Sequence, residues 1–188
     1  MAESHFEQTF KAVSPEEVPQ GEYESCVFQQ CHWPEATLAG YTFIDCTFEG
    51  CDLSLVKLYD TGLQGVRFVQ CKLQGLALTD AKAFLMEVSF DRCQLRLANF
   101  YRCVLKKTAF KACQLTEVDF SEADLAGARF AECDLSGATF DQTHLEKADF
   151  RTAVGYTLAP DRNFVKQAKF STDGLPGLLQ AYDLVMEG

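Results

Sequence analysis

The sequence has no long apolar run: nowhere do 18 apolar residues stand together, so no membrane-spanning helix is expected. Its opening, MAESHFEQTF, has neither a basic flank nor an apolar core. No secretory signal is expected there, and the cytoplasm is the default compartment. Basic charge is short, with 17 Lys and Arg against 27 Asp and Glu, net −10. That balance argues against a general binder of nucleic acid or anionic membrane. Histidine is scarce, and His5, His32 and His144 are too scattered to form a relay. Cys26, Cys31 and His32 are spaced C-x4-C-H, without the matching partners of a structural zinc site. No G-x-S-x-G elbow, phosphate-cradling glycine loop or H-E-x-x-H occurs. No catalytic residue, metal or cofactor is nominated, and the chain is not expected to be an enzyme.

What is present is a period of five. From Phe90 to Phe150 every fifth residue is Phe or Leu: Phe90, Leu95, Phe100, Leu105, Phe110, Leu115, Phe120 and onward. An earlier block from Phe28 to Leu78 repeats in another phase, with Trp33 as its one other residue type. The phases differ by two, which places a two-residue insertion near 79–84. Two residues before nearly every large residue stands a small or β-branched one, and all nine cysteines occupy that position. Their regular spacing, without a signal peptide, argues against a disulfide framework. One large and one small inward residue per five fits neither a 3.6-residue helix nor a long alternating strand. It fits a short extended segment and a turn, wound repeatedly around a narrow core. Six of the 12 glycines fall two residues after the large one, at the turn, and Pro34 is also at a corner.

The number of sides follows from what must stack. Strict Phe/Leu alternation puts Phe over Phe only if a coil has four sides, and like-on-like stacking packs a tight core with least strain. Cysteines agree, since Cys31, Cys51 and Cys71, and again Cys93, Cys113 and Cys133, step by 20 residues. One column is therefore expected to read Phe28, Phe48, Phe68, Phe90, Phe110, Phe130, Phe150. Roughly six and a half coils at about 4.8 Å each make a rod of about 31 Å. Such a core is filled by side chains and leaves no cofactor cavity.

The segments ADLAG (123–127), CDLSG (133–137) and ADFRT (148–152) match the A-(D/N)-L-x-x consensus, so the chain resembles the pentapeptide repeat family over residues 23–152. The resemblance implies an all-β, right-handed quadrilateral β-helix with backbone hydrogen bonds between coils. The flanks resemble those of the gyrase-protecting quinolone-resistance members. That likeness implies an N-terminal cap over 1–22 and a C-terminal extension over 153–188 with a short α-helix that caps and dimerises. Leu175, Leu178, Leu179, Tyr182, Leu184 and Val185 are the expected dimer contacts, more apolar than a solvated tail needs. The implied partner is DNA gyrase or topoisomerase IV, bound by DNA mimicry, with quinolone or toxin sensitivity as the outcome. The plasmid-borne members carry protruding loops; here only the two-residue insertion breaks the period, which separates this chain from rescue of drug-poisoned gyrase.

Charge is unevenly placed. Residues 1–56 carry net −9, residues 57–113 net +6 and residues 114–152 net −6. Duplex DNA would carry about 18 charges over about 31 Å, so mimicry along the whole rod is not expected. The candidate partner surface is the acidic C-terminal third: Glu117, Asp119, Glu122, Asp124, Glu132, Asp134 and Asp141, with Glu146 and Asp149 beside them. The basic belt of Arg92, Arg96, Arg102, Lys106, Lys107 and Lys111 lacks interleaved aromatics for base stacking, so charge balance is its expected role and no direct nucleic-acid contact is called for. Leu55 with Tyr59, and Leu97 with Tyr101, flank one corner two coils apart. They offer the alternative, a scaffold or binding module with an unrelated protein partner.

Overall fold

In a computed structural model, which describes residues 3–84, 86–182 and 184, the chain winds as a right-handed, four-sided parallel β-solenoid with one short C-terminal helix. The strands are β1 (Glu3–Phe6), β2 (Thr9–Lys11), β3 (Gly21–Glu24), β4 (Val27–Gln29), β5 (Thr42–Ile44), β6 (Thr47–Glu49), β7 (Gly62–Gln64), β8 (Val66–Val69), β9 (Val88–Asp91), β10 (Ala109–Lys111) and β11 (Arg129–Ala131). The helix α1 is Leu175–Leu179. The first side pairs β1-β3-β5-β7, and the second carries an unbroken seven-stranded sheet, β2-β4-β6-β8-β9-β10-β11. The third and fourth sides are held by single bridges, such as His32–Asp52–Lys72 and Asn99–Asp119–Thr139.

Each pentapeptide builds one side for a simple reason. In an extended segment residues two apart point the same way, so the small and the large residue both face inward. The residue two after the large one then turns the chain in the left-handed region. Glycine holds some of these corners, but Gln30, Glu35, Leu55, Arg92, Leu97, Lys107 and Glu122 adopt φ of 54° to 60° without being glycine. Left-handed backbone costs an ordinary residue roughly 1–2 kcal/mol. Coil-to-coil bonds offset that cost: Leu53 N donates to Lys72 O at 2.8 Å, and Lys72 N to Cys51 O at 2.9 Å.

The core column runs farther than the five-residue period. Phe10, Phe28, Phe48, Phe68, Phe90, Phe110, Phe130, Phe150 and Phe170 stack with centroids 4.7 to 5.4 Å apart and planes within 18° of parallel. Eight steps of about 4.8 Å make this column about 38 Å long. Residues 3–11 thus form wall in register with β3 and β4, and the bridges continue through Val154, Phe164 and Lys169. Over the first coil the segment after β2 is pinned by two aromatic tips. Trp33 Nε1 donates to Val13 O at 2.8 Å, and the Tyr41 hydroxyl to Val18 O at 2.7 Å. At the other end α1 lies against Tyr156. Any Cβ at Gly174 or Gly177 would collide with that tyrosine, and Leu158 N donates to Gly177 O at 3.0 Å.

The insertion is a loop rather than a slight stretch. Lys82 N donates to Thr61 O and Glu87 N to Leu63 O, both at 2.9 Å, and regular pairing resumes at Val66–Val88. Ala83, Phe84 and Met86 therefore stand outside the ladder, and Phe84 is 82% exposed. The first side's sheet ends at β7 because of it. Leu85 lies outside the described residues.

The cysteines mark a particular corner. At most corners the backbone N–H of the next small residue donates back to the preceding large residue's carbonyl, as Ala98 N does to Leu95 O and Val118 N to Leu115 O. Between the second and third sides this turn bond is missing for Cys31, Cys51, Cys71, Cys93, Cys113 and Cys133. The carbonyl it would reach accepts a ladder N–H from the next coil instead, and a thiol of that coil adds a second, longer contact. Cys51 Sγ reaches Phe28 O, Cys71 Sγ reaches Phe48 O and Cys93 Sγ reaches Phe68 O, each at 3.3 Å. Each of these carbonyls is already paired in the ladder, so the thiol takes up its second lone pair.

Candidate interaction surfaces

Successive pentapeptides occupy successive sides, so acids spaced by five point in different directions. Asp119 lies on the fourth side, Asp124 on the first, Asp134 on the third and Asp149 on the second. Most of the seven candidate acids are also engaged within the fold. Ser121 N donates to Asp119 Oδ1 at 2.8 Å, and Ser136 N and its hydroxyl donate to Asp134 Oδ1 at 3.0 and 2.6 Å. Asp124 accepts from Ala126 N at 3.2 Å in the same way. These carboxylates close the turn two residues on, which is why the repeat favours Asp or Asn there; Asn99 does the same for Tyr101 N at 2.9 Å.

The basic belt neutralises the coil that follows it. Arg96 pairs with Glu117 at 3.1 Å, Arg102 with Glu122 at 2.7 Å and Lys106 with Asp124 at 3.1 Å. Arg162 pairs with Asp141 at 2.7 Å. The Arg102 guanidinium, helped by the Tyr101 hydroxyl, holds the Glu122 carboxyl below the usual carboxylate range. Arg151 does the same to Asp149. Among the described residues, Glu132 alone of the seven candidates has neither an ion pair nor a turn bond.

The unneutralised charge is at the other end, in the acidic residues 1–56 outside the candidate partner surface. Among the described residues no cation pairs with Glu7, Glu22, Glu24, Glu35, Asp45 or Glu49. Five of these cluster around the first two sides, with Glu22 and Glu24 on β3, Glu49 on β6, and Glu7 and Asp45 at the corner between.

Two apolar features also reach solvent. Leu55 and Leu97 occupy one corner with Gly75 between them, and Leu55, Tyr59 and Leu97 are each about half exposed. Tyr101 is turned to Glu122, with Arg102 4.8 Å from its ring. Next to this ridge the loop frames a shallow depression of about 270 Å³ whose lining includes Leu78, Met86, Tyr101, Cys103 and Val104. At the C-terminus Leu175, Tyr182 and Leu184 are exposed, Leu179 is half-buried, and Leu178 packs onto the core. Val185 lies outside the described residues. No helix among the described residues is long and apolar enough to cross a membrane.

A four-sided parallel solenoid built from five-residue turns defines the class of this protein. The sequence matches the family model described as a pentapeptide repeat region over residues 22–84 and 83–154, and the chain belongs to the pentapeptide repeat family. Two structures of trypsin-treated variants of QnrB1, a plasmid-mediated fluoroquinolone resistance protein, are 21% identical to it. The matches cover 99% of this chain and 98% of theirs, with TM-scores of 0.52 and 0.50. HetL, a pentapeptide repeat protein involved in heterocyst differentiation regulation in the cyanobacterium Nostoc, is 18% identical over 88% of this chain and 84% of its own, with a TM-score of 0.45. No curated protein matches the sequence. At 21% identity the likeness to the QnrB1 structures speaks to the fold alone.

Proposed function

We propose that this chain is a non-enzymatic interaction protein, dimeric through its C-terminal segment, that engages DNA gyrase or topoisomerase IV as a partial DNA mimic and so modulates quinolone or toxin sensitivity. One observation carries the reading. Residues 1–56 hold net −9 in three coils, about 14 Å of rod, where duplex DNA would hold about 8 charges. The N-terminal coils thus reach the line charge of DNA, with most of their acids outside ion pairs; Asp52, held by Lys72 and His32, is the exception among the described residues. Membership of the pentapeptide repeat family and the full-length fold likeness to QnrB1 support the choice of partner. Leu175, Tyr182 and Leu184 supply the exposed apolar area for the dimer.

The test is a gyrase supercoiling assay with a DNA-competition series. Reversing Glu22, Glu24, Asp45 and Glu49 to Lys should raise the inhibitory concentration by more than about tenfold, some 1.4 kcal/mol. Wild-type protein that neither inhibits, competes with DNA nor protects from drug at micromolar concentration would remove the topoisomerase reading. A second reading, a scaffold for an unrelated protein, is favoured by the Leu55, Tyr59 and Leu97 ridge. It predicts a partner lost on Leu55→Ser with Leu97→Ser and indifferent to the acidic reversals.

A further inference from the structure

The least explained feature lies inside the rod. Three of the four columns of small inward residues mix types: the fourth side, for example, runs Ala36, Val56, Leu76, Ala98, Val118, Ala138. The third side holds only cysteine through six successive coils: Cys31, Cys51, Cys71, Cys93, Cys113 and Cys133. All six are free thiols buried to 2% exposure or less, and the bridges from His32 through Asp52, Lys72, Gln94 and Gln114 to Asp134, one residue on from each, stack them in register one coil apart. The second lone pair of these carbonyls accommodates a donor but does not call for sulfur. Hydroxyls at equivalent positions reach such carbonyls at shorter distance, Thr61 to Leu38 O at 2.7 Å and Thr143 to Phe120 O at 2.9 Å.

We propose that this single file of sulfurs is a binding track for soft monovalent d10 cations, Cu(I) or Ag(I), each held between two cysteines of successive coils. Thiolate sulfur selects such ions over hard ones. The coil repeat of about 4.8 Å is about twice a metal–sulfur bond of about 2.3 Å, so an ion between neighbouring sulfurs is linearly two-coordinate. Among the described residues no three His, Cys, Asp or Glu side chains converge to hold a metal, so a closed tetrahedral zinc site is not what the column offers. Charge also balances. Each cation bonds one sulfur and releases that thiol's proton to solvent, while the second sulfur donates a lone pair and keeps its hydrogen. The buried unit stays neutral, which an apolar core requires.

Silver ion is the probe, added as its nitrate to the full chain in chloride-free buffer and read by native mass spectrometry and thermal melting. The folded protein should retain several Ag⁺, and its Tm should rise, as binding to the native state demands. Cys71→Thr divides the file into a pair and a triplet, so bound silver and the Tm shift should both fall. Cys113→Thr should act alike if the first variant folds poorly. Cys103→Ala, at a separate corner with its own turn bond, should change neither reading. A Tm lowered by silver means that thiols are seized only after unfolding and overturns the proposal. So does an uptake that Cys103→Ala reduces as much as Cys71→Thr.

Discussion

In the first three coils most outward acids stand alone, whereas between residues 114 and 152 most already hold something: an arginine, a lysine or the next turn. Both regions are acidic by count, net −9 and net −6. They differ in what lies one coil away. Glu117, Glu122 and Asp124 sit over Arg96, Arg102 and Lys106, while Glu22, Glu24 and Asp45 are stacked on Thr42, Ile44 and Gly65. Charge that folding has already paired is less available to a partner, so in a solenoid the neighbour 20 residues on decides what an acid can do.

The interior makes no such distinction, and this gives the largest expected effect. The phenylalanine column passes through both regions with similar ring spacing. Phe48→Ala and Phe110→Ala should each cost about 3–5 kcal/mol by leaving a cavity, read as matched shifts of the urea midpoint with an unchanged slope. Unequal losses with a lowered slope would mean that the two halves unfold separately, as weakly coupled repeats do.

A smaller effect separates the halves. Asp134→Ala removes the acceptor of two hydrogen bonds from Ser136 and should cost about 1 kcal/mol. Asp134→Asn keeps an acceptor, as Asn99 shows, and should stay within about 0.5 kcal/mol. Asp45→Ala, in the unpaired region, should be neutral or slightly stabilising, since it thins a like-charged cluster. Equal costs for Asp45→Ala and Asp134→Ala in denaturant melts would erase the comparison.

Much of the fold was legible because a period of five leaves few ways to bury two residues in five. The four sides, the columns and the inward cysteines all follow from it. What escaped has definite causes. Phe10 stands 18 rather than 20 residues before Phe28, and Gly155 and Pro160 blank the large positions between Phe150 and Phe170, so the column's ends were hidden. The phase shift counts only net insertion, two residues, and carries no sign that the chain around Phe84 leaves the ladder. The candidate acids were grouped by nearness in sequence, yet a step of five moves to the next side. The step of 20 to 21 that joins Arg96 to Glu117 and Arg102 to Glu122 was readable from the same arithmetic. The missing turn bond at the cysteine corner has no signal of its own beyond the uniformity of that column.

The smallest expected effect is acid sensitivity confined to the paired region. Arg151 lowers the pKa of Asp149, chiefly by hydrogen bonding to its carboxylate with Nε at 3.0 Å and Nη2 at 2.8 Å. A carboxyl held below its unfolded value of about 3.9 stabilises the fold fully above that pH. The contribution fades as pH falls through the lower folded pKa, because the unfolded chain binds the proton more readily. The pair is close to solvent, so the loss is on the order of 0.5 kcal/mol. Hydrogen exchange near Asp149 should therefore accelerate modestly as pH falls below about 4, and Arg151→Gln should remove that dependence. If Arg151→Gln left the acid response of this region unchanged, its carboxylates would be as unengaged as those of the first three coils, and the contrast between the two ends would rest on geometry without energetic weight.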